Sequence, residues 1–169
     1  MLKRIVFISM FIIPISVFAQ TFKFGHLSSQ DIFTEMPERA KAVNELQTLE
    51  KKYRDEIQRT NDEFQKKYQE FLEARDSLPQ NISEKRQKEL QDMMQRSEQF
   101  QQEAQQMLVQ KQEELMTPIY QKIDNAIKAV GEAQGMTFIF DTSRTAIPYI
   151  NTTQSTDVTA LIKAELGIK

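Results

Sequence analysis

One histidine, His26, and a scatter of acidic pairs are the only residues of this chain whose types suggest proton or metal chemistry. A lone imidazole without cysteine partners makes no transition-metal site of the usual kind, and no serine stands beside it in a nucleophile motif. On a predicted strand, His26 reads as a structural residue. Asp55-Glu56, Asp62-Glu63 and Glu113-Glu114 would be acid/base couples or cation ligands only if a cleft held them. Lysines and arginines stand three or four residues from each along helical sequence, which makes them a solvated, ion-paired face. A phosphate-cradling loop needs glycine, and none occurs between Gly25 and Gly131. The chain therefore reads as no enzyme, with no cofactor and no metal.

That glycine-free stretch carries the architecture instead. Glycine supplies left-handed turns and helix C-caps, so its absence over such a length means few reversals. The residues present, mostly Glu, Gln, Lys, Arg, Leu, Met and Ala, lose little rotamer freedom in a helix. Thr21 to Leu27 alternates as a half-buried strand, and Ser28 to Met36 reads as a short helical turn. Pro37 suits a first helical turn, opening a long helix to Ser77. Leu78-Pro79-Gln80-Asn81 breaks it, because Pro79 disfavours helical geometry at its predecessor. Asn81 and Glu84 have capping-box spacing, so a second helix is predicted from Ile82 to Ala133, kinked at Pro118 and ended by Gly135. Met136–Asp141 and Ala146–Asn151 read as strands, the latter an edge or bulge because of Pro148. Asp157–Leu166 reads as a closing helix. The layout predicts an α+β chain divided as 1–19 signal, 20–36 first part of a β-containing body, 37–133 helical hairpin with its tip near 78–82, and 134–169 remainder of the body.

Met1-Leu2-Lys3-Arg4 followed by the apolar run Ile5–Phe18, then Val17-Phe18-Ala19, has the form of a cleavable export signal. The run is shorter than the roughly 20 residues of a spanning helix, so no stable membrane insertion is expected after cleavage. The whole chain carries 22 basic and 24 acidic residues; without Lys3 and Arg4, 20 basic remain. A mildly acidic exported protein is a poor nucleic-acid binder. It has no cysteine, so neither disulfides nor thiol chemistry. Its apolar residues gather at the two ends, too few for a sizeable core, and oligomerisation is the simplest remedy.

Heptad rows run along both arms. Folding the hairpin about residue 82 aligns Phe71 with Met93, Phe64 with Phe100, Ile57 with Met107 and Leu49 with Leu115, an antiparallel coiled coil. The expected seam is thus Leu49, Ile57, Phe64, Phe100, Met107 and Leu115. Each arm of roughly 40 residues would reach on the order of 60 Å. Glutamines crowd beside the rows, and so thin a seam should bend. Met94, off the heptad row, and Phe71, Leu72 and Leu78 near the tip are candidates for contact with a partner protein, since flexible thioethers and exposed apolar groups suit varied surfaces.

These features resemble the Skp/OmpH family of periplasmic chaperones. The resemblance rests on the Phe-Lys-Phe-Gly-His strand at 22–26, Gly135-Met-Thr-Phe-Ile-Phe-Asp141, Ala146-Ile-Pro-Tyr-Ile-Asn151 and Asp157-Val-Thr-Ala-Leu-Ile162. It implies a periplasmic homotrimer whose β body is shared by three chains. Phe22, Phe24, Phe138, Phe140, Tyr149 and Leu161 would then be body contacts. It also implies an ATP-independent holdase that binds unfolded outer-membrane β-barrel proteins. Unlike the basic, best-known members, this chain is mildly acidic, and no lipopolysaccharide-binding residues are carried over. A spacer or adaptor of the cell envelope, docking its hairpin on a folded partner, is the alternative reading.

Overall fold

The computed structural model describes residues 22–168; the export-signal reading lies outside them. β1 (Phe24–Leu27) leads into α1 (Ser29–Glu35), and α2 (Pro37–Ala74) follows at once. Ser28 caps α1, its Oγ accepting from the Asp31 N–H at 3.3 Å. Pro37 occupies the first helical position of α2, where its missing N–H costs nothing. The helix gives way to a 3-10 turn over Arg75–Ser77, slightly before the predicted end.

The tip is a correction. α3 (Gln80–Gln134) starts two residues before Ile82, with Pro79 as its N-cap residue and no side chain capping it. Asn81 is already inside the helix, so the capping box does not form; the Gln80 side chain, not Asn81, reaches Glu84, at 3.0 Å. α3 continues through Pro118, whose ring nitrogen leaves the carbonyl one turn back without its helical donor. It ends at Gly135, which takes the left-handed conformation with φ 61°. There the Met136 N–H reaches back to the Gly131 carbonyl at 2.9 Å, closing the last turn.

β2 (Phe138–Asp141) and β3 (Ser155–Asp157) flank β1 in a three-stranded sheet of order β2-β1-β3, parallel throughout. The second C-terminal strand is therefore not Ala146–Asn151. Those residues form no ladder, and Pro148 has no N–H to give one. The short polar segment Ser155-Thr156-Asp157 pairs with β1 instead. α4 (Thr159–Glu165) closes the chain.

One core gathers the ends of the sequence: Leu27, Ile32, Phe33 and Met36, Ile119, Ile123, Ala126 and Val130 of α3, and Val158 and Ile162. From α2 only Ala42 joins it. Gly25 lies on the inner face of the sheet, where a Cβ would stand 2.7 Å from Met136 Sδ and 3.2 Å from Ile139 and Val158 carbons. Glycine is what lets α3, β2 and α4 close on that strand. The arms beyond this root project as a two-helix hairpin.

Candidate functional site

The sheet's outer face is built by the alternation of β1. Gly25 and Leu27 point inward and are buried, so Phe24 and His26 point outward. Register places Phe138 beside Phe24 and Phe140 beside His26 on one flank, with Ser155 and Asp157 on the other. The result is an exposed aromatic sheet surface. Phe24 lies 6.4 Å from Phe138 and 6.2 Å from Phe140, ring centre to ring centre, and Phe22 stacks 6.5 Å beyond it. Phe22 remains 65% and Phe138 59% exposed in the single chain, and Phe140, Tyr149 and Leu161 are exposed as well. A contiguous aromatic patch of this kind is unusual on a solitary soluble subunit. His26 sits at its polar edge, its Nδ1 2.9 Å from Ser155 Oγ. Asp157 accepts from the Thr159 N–H at 2.9 Å at the start of α4; hydrogen bonding by Thr159, its side chain first and its N–H second, holds the carboxyl below its ordinary value.

A second polar cluster, not foreseen from the sequence, ties the root together. Asp141 Oδ1 accepts from the backbone N–H groups of Ser29 and Ser143 and from Ser143 Oγ at 2.6 Å. Burial raises the Asp141 pKa, but these bonds outweigh it and the carboxyl sits below its ordinary value. Arg144 Nε approaches Asp141 Oδ2 at 3.2 Å without a hydrogen bond to it, and Arg144 also pairs with Asp124 at 2.9 Å. The same guanidinium lies over Tyr120, whose ring stacks on Phe33 at 4.6 Å, and Arg39 covers Phe33 on its own account. These contacts bind α1, α2, α3 and the loop after β2 at the point where the arms depart. The local signal was Asp-Thr-Ser, a spacing that suits an Asx turn, but Ser29 is 112 residues away and invisible to it.

The arms pack in a different register from the expected one. Thr60 shares a groove with Ser97, Phe71 with Arg86 and Leu90, and Ala42 with Leu115 and Ile119. Glu45 meets Lys111 at 3.1 Å. Phe100 lines the same groove as Glu56 and Thr60, and its ring meets Tyr53 edge-on at 6.0 Å. The hairpin folds about Leu78–Pro79, not residue 82, and the slip is one heptad, which sets Phe64 opposite Met93. Leu49, Ile57, Phe64, Phe100 and Leu115 are half-buried, while Met107 is 49% exposed and lies outside the seam. Met93, Leu90 and Ala104 are the buried seam residues of α3. Of the four partner-contact candidates, Leu72 and Met94 are exposed and Leu78 is half-buried. Phe71 is 6% exposed and closed within the hairpin, so it presents no surface to a partner in this arrangement. The grooves between the arms are open and lined in part by charged side chains, among them Lys67, Glu70 and Arg86 near the tip and Glu38, Lys41 and Lys122 near the root. No helix among the described residues is long and apolar enough to cross a membrane.

The comparisons with known proteins agree with this geometry. The family described as "Outer membrane protein (OmpH-like)" matches residues 23–166. No curated protein sequence matches. A crystal structure from Caulobacter crescentus CB15, described as a candidate outer membrane chaperone (OmpH-like), superposes with a TM-score of 0.74. The match covers 86% of this chain and 83% of that one at 16% identity, which is a likeness of fold. A match over nearly the whole described chain, on the same small sheet and long hairpin, places this protein in the OmpH-like chaperone family.

Proposed function

We propose that this protein is an ATP-independent periplasmic holdase that binds unfolded outer-membrane β-barrel proteins and keeps them from aggregating. One observation carries the reading: the main core gathers at the root, and from it a long hairpin projects with Tyr68, Leu72, Met94, Met107 and Val109 exposed along it. α2 alone has 38 residues, about 57 Å at the helical rise. Many weak, adaptable contacts suit a client with no fixed shape, and the later ones are intramolecular and so add steeply. An unfolded barrel protein offers alternating apolar strands that would otherwise pair edge to edge. The periplasm supplies no ATP, so release follows the client's greater stability once folded in the membrane.

The exposed aromatic sheet face supports a homotrimeric body. Phe22, Phe24, Phe138 and Phe140, with Tyr149 and Leu161, would be covered by other copies of the chain, completing a core that one copy builds too small. Export by a signal peptide at residues 1–19 belongs to the same reading. Light scattering of a barrel protein diluted from urea tests the function. Suppressed scattering at stoichiometric chain is expected, and undiminished aggregation overturns the reading.

A further inference from the structure

Helical geometry sorts the hairpin surface into two sides of opposite character. At 3.6 residues per turn, one flank of α3 carries Gln87, Gln91, Gln101, Gln105 and Gln112, with Met94 and Val109 between them. From residue 87 to residue 116, Glu98 is the only formal charge on that flank. In an antiparallel pair the matching flank of α2 lies on the same side. It presents Val43, Gln47, Asn61, Gln65, Tyr68 and Leu72, and its only charges, Glu50 and Arg54, pair with each other. The opposite side holds the cross-arm pairs Glu45–Lys111 and Glu38–Lys122 and the charged grooves described above. Tyr68, Leu72, Met94 and Val109 are exposed on the uncharged side, whereas the exposed apolar residues Ile82 and Met107 lie among the charges of the other.

We infer that this neutral side of the hairpin docks an extended, unfolded segment of another polypeptide. The inference rests on the holdase reading and adds where and by what chemistry the client is held. An unfolded segment carries an unpaired N–H and C=O at nearly every residue, and in a barrel strand an apolar side chain at every second one. A glutamine amide both donates and accepts, so it meets either backbone group without needing a fixed register. Thioether, aromatic and aliphatic side chains beside the amides take the apolar positions. Charge complementarity selects the occupant, because a surface without counter-charges cannot repay the desolvation of a charged partner. A second copy of the limb is a poorer fit, since this side has no heptad row of apolar residues for a further seam. Contacts of this kind are not screened by salt.

The test is a fluorescence titration of a urea-denatured, dye-labelled outer-membrane barrel protein into the full-length protein. It is run at low salt and at about 0.5 M NaCl, where screening acts over a few ångströms. Affinity should change by less than about twofold with salt. Met94→Glu with Gln105→Glu should weaken binding about tenfold or more, because each places a charge against an apolar, amide-bonding client. Glu63→Gln with Arg96→Gln, on the charged side, should leave it within about twofold. All four positions are exposed, and a far-UV melt of each variant registers folding separately from binding. Full binding by the neutral-side variant, or binding lost to salt or to the charged-side variant, overturns the inference and leaves the holdase reading standing. A wild-type protein that binds no client sinks both. A change in the mass of the client-free protein with Met94→Glu and Gln105→Glu assigns the side to self-contact and also overturns it.

Discussion

Truncating Ile123 to alanine is the perturbation that separates a root-centred core from one spread along the arms. Ile123 is fully buried on α3, among residues from α1, α2 and α4 and the segment before α4. Ile123→Ala removes three carbons, about 2.4 kcal/mol of transfer free energy at roughly 0.8 per methylene. A cavity of about 60 Å³ that fails to collapse adds about 1.5 kcal/mol at roughly 24 cal/mol per Å³. The expected cost is therefore about 4 kcal/mol, a large share of the 5–15 kcal/mol typical of a domain. Urea unfolding followed by far-UV dichroism reads it. Protein concentration must be held fixed, because an oligomer's midpoint depends on it. With a slope of about 1–3 kcal/mol/M, the midpoint should fall by at least about 1 M with the slope unchanged. Met107→Ala, on the exposed flank of the arm, should cost less than about 0.5 kcal/mol. If Ile123→Ala costs under about 1 kcal/mol, or Met107→Ala matches it, the stabilising core is not at the root.

Three further outcomes follow from the same geometry. Gly135→Ala meets no atom within 4 Å but forces a side chain to φ 61°, so it should destabilise by about 1 kcal/mol, and a raised unfolding midpoint would refute the cap. The Asp141 carboxyl titrates below its ordinary value of 3.8, so it contributes stability above that pH and loses it as pH falls through the lower folded value. Asp141→Asn should therefore be less stable than wild type at neutral pH and converge with it in strong acid; a gap that persists there contradicts the bonding described. Because the chain has no cysteine, the arm register can be read by oxidation: Thr60→Cys with Ser97→Cys should cross-link, whereas Phe64→Cys with Phe100→Cys should not.

What the sequence made legible was local backbone chemistry and periodicity. Pro37 opens α2 and Gly135 closes α3, because each position asks for what that residue alone does well. The arm register was not legible, since a heptad row slid by seven residues superposes on itself and only the tip fixes the phase. Asn81 and Glu84 suggested a later helix start, and those two residues moved the fold point from Leu78–Pro79 to 82. β3 escaped notice for another reason. Ser155-Thr156-Asp157 has no apolar alternation, and its place in the sheet comes from backbone bonds to β1, whereas the apolar run Ala146–Asn151 carries the wrong residue, Pro148, for a ladder. Of the site, alternation marked Thr21–Leu27 as a half-buried strand and the family resemblance made its phenylalanines body contacts, but neither said that Phe24 faces outward while Gly25 and Leu27 face the core. The Asp141 cluster was not legible at all. Its partners come together only after the hairpin has returned the chain to β1.

The measurement that bears most directly on the account is the mass, by light scattering on a sizing column, of the purified protein mixed with a barrel protein freshly diluted from urea. One soluble species containing three copies of this chain and one client is expected. Single copies of the chain eluting apart from an aggregated client would contradict the account.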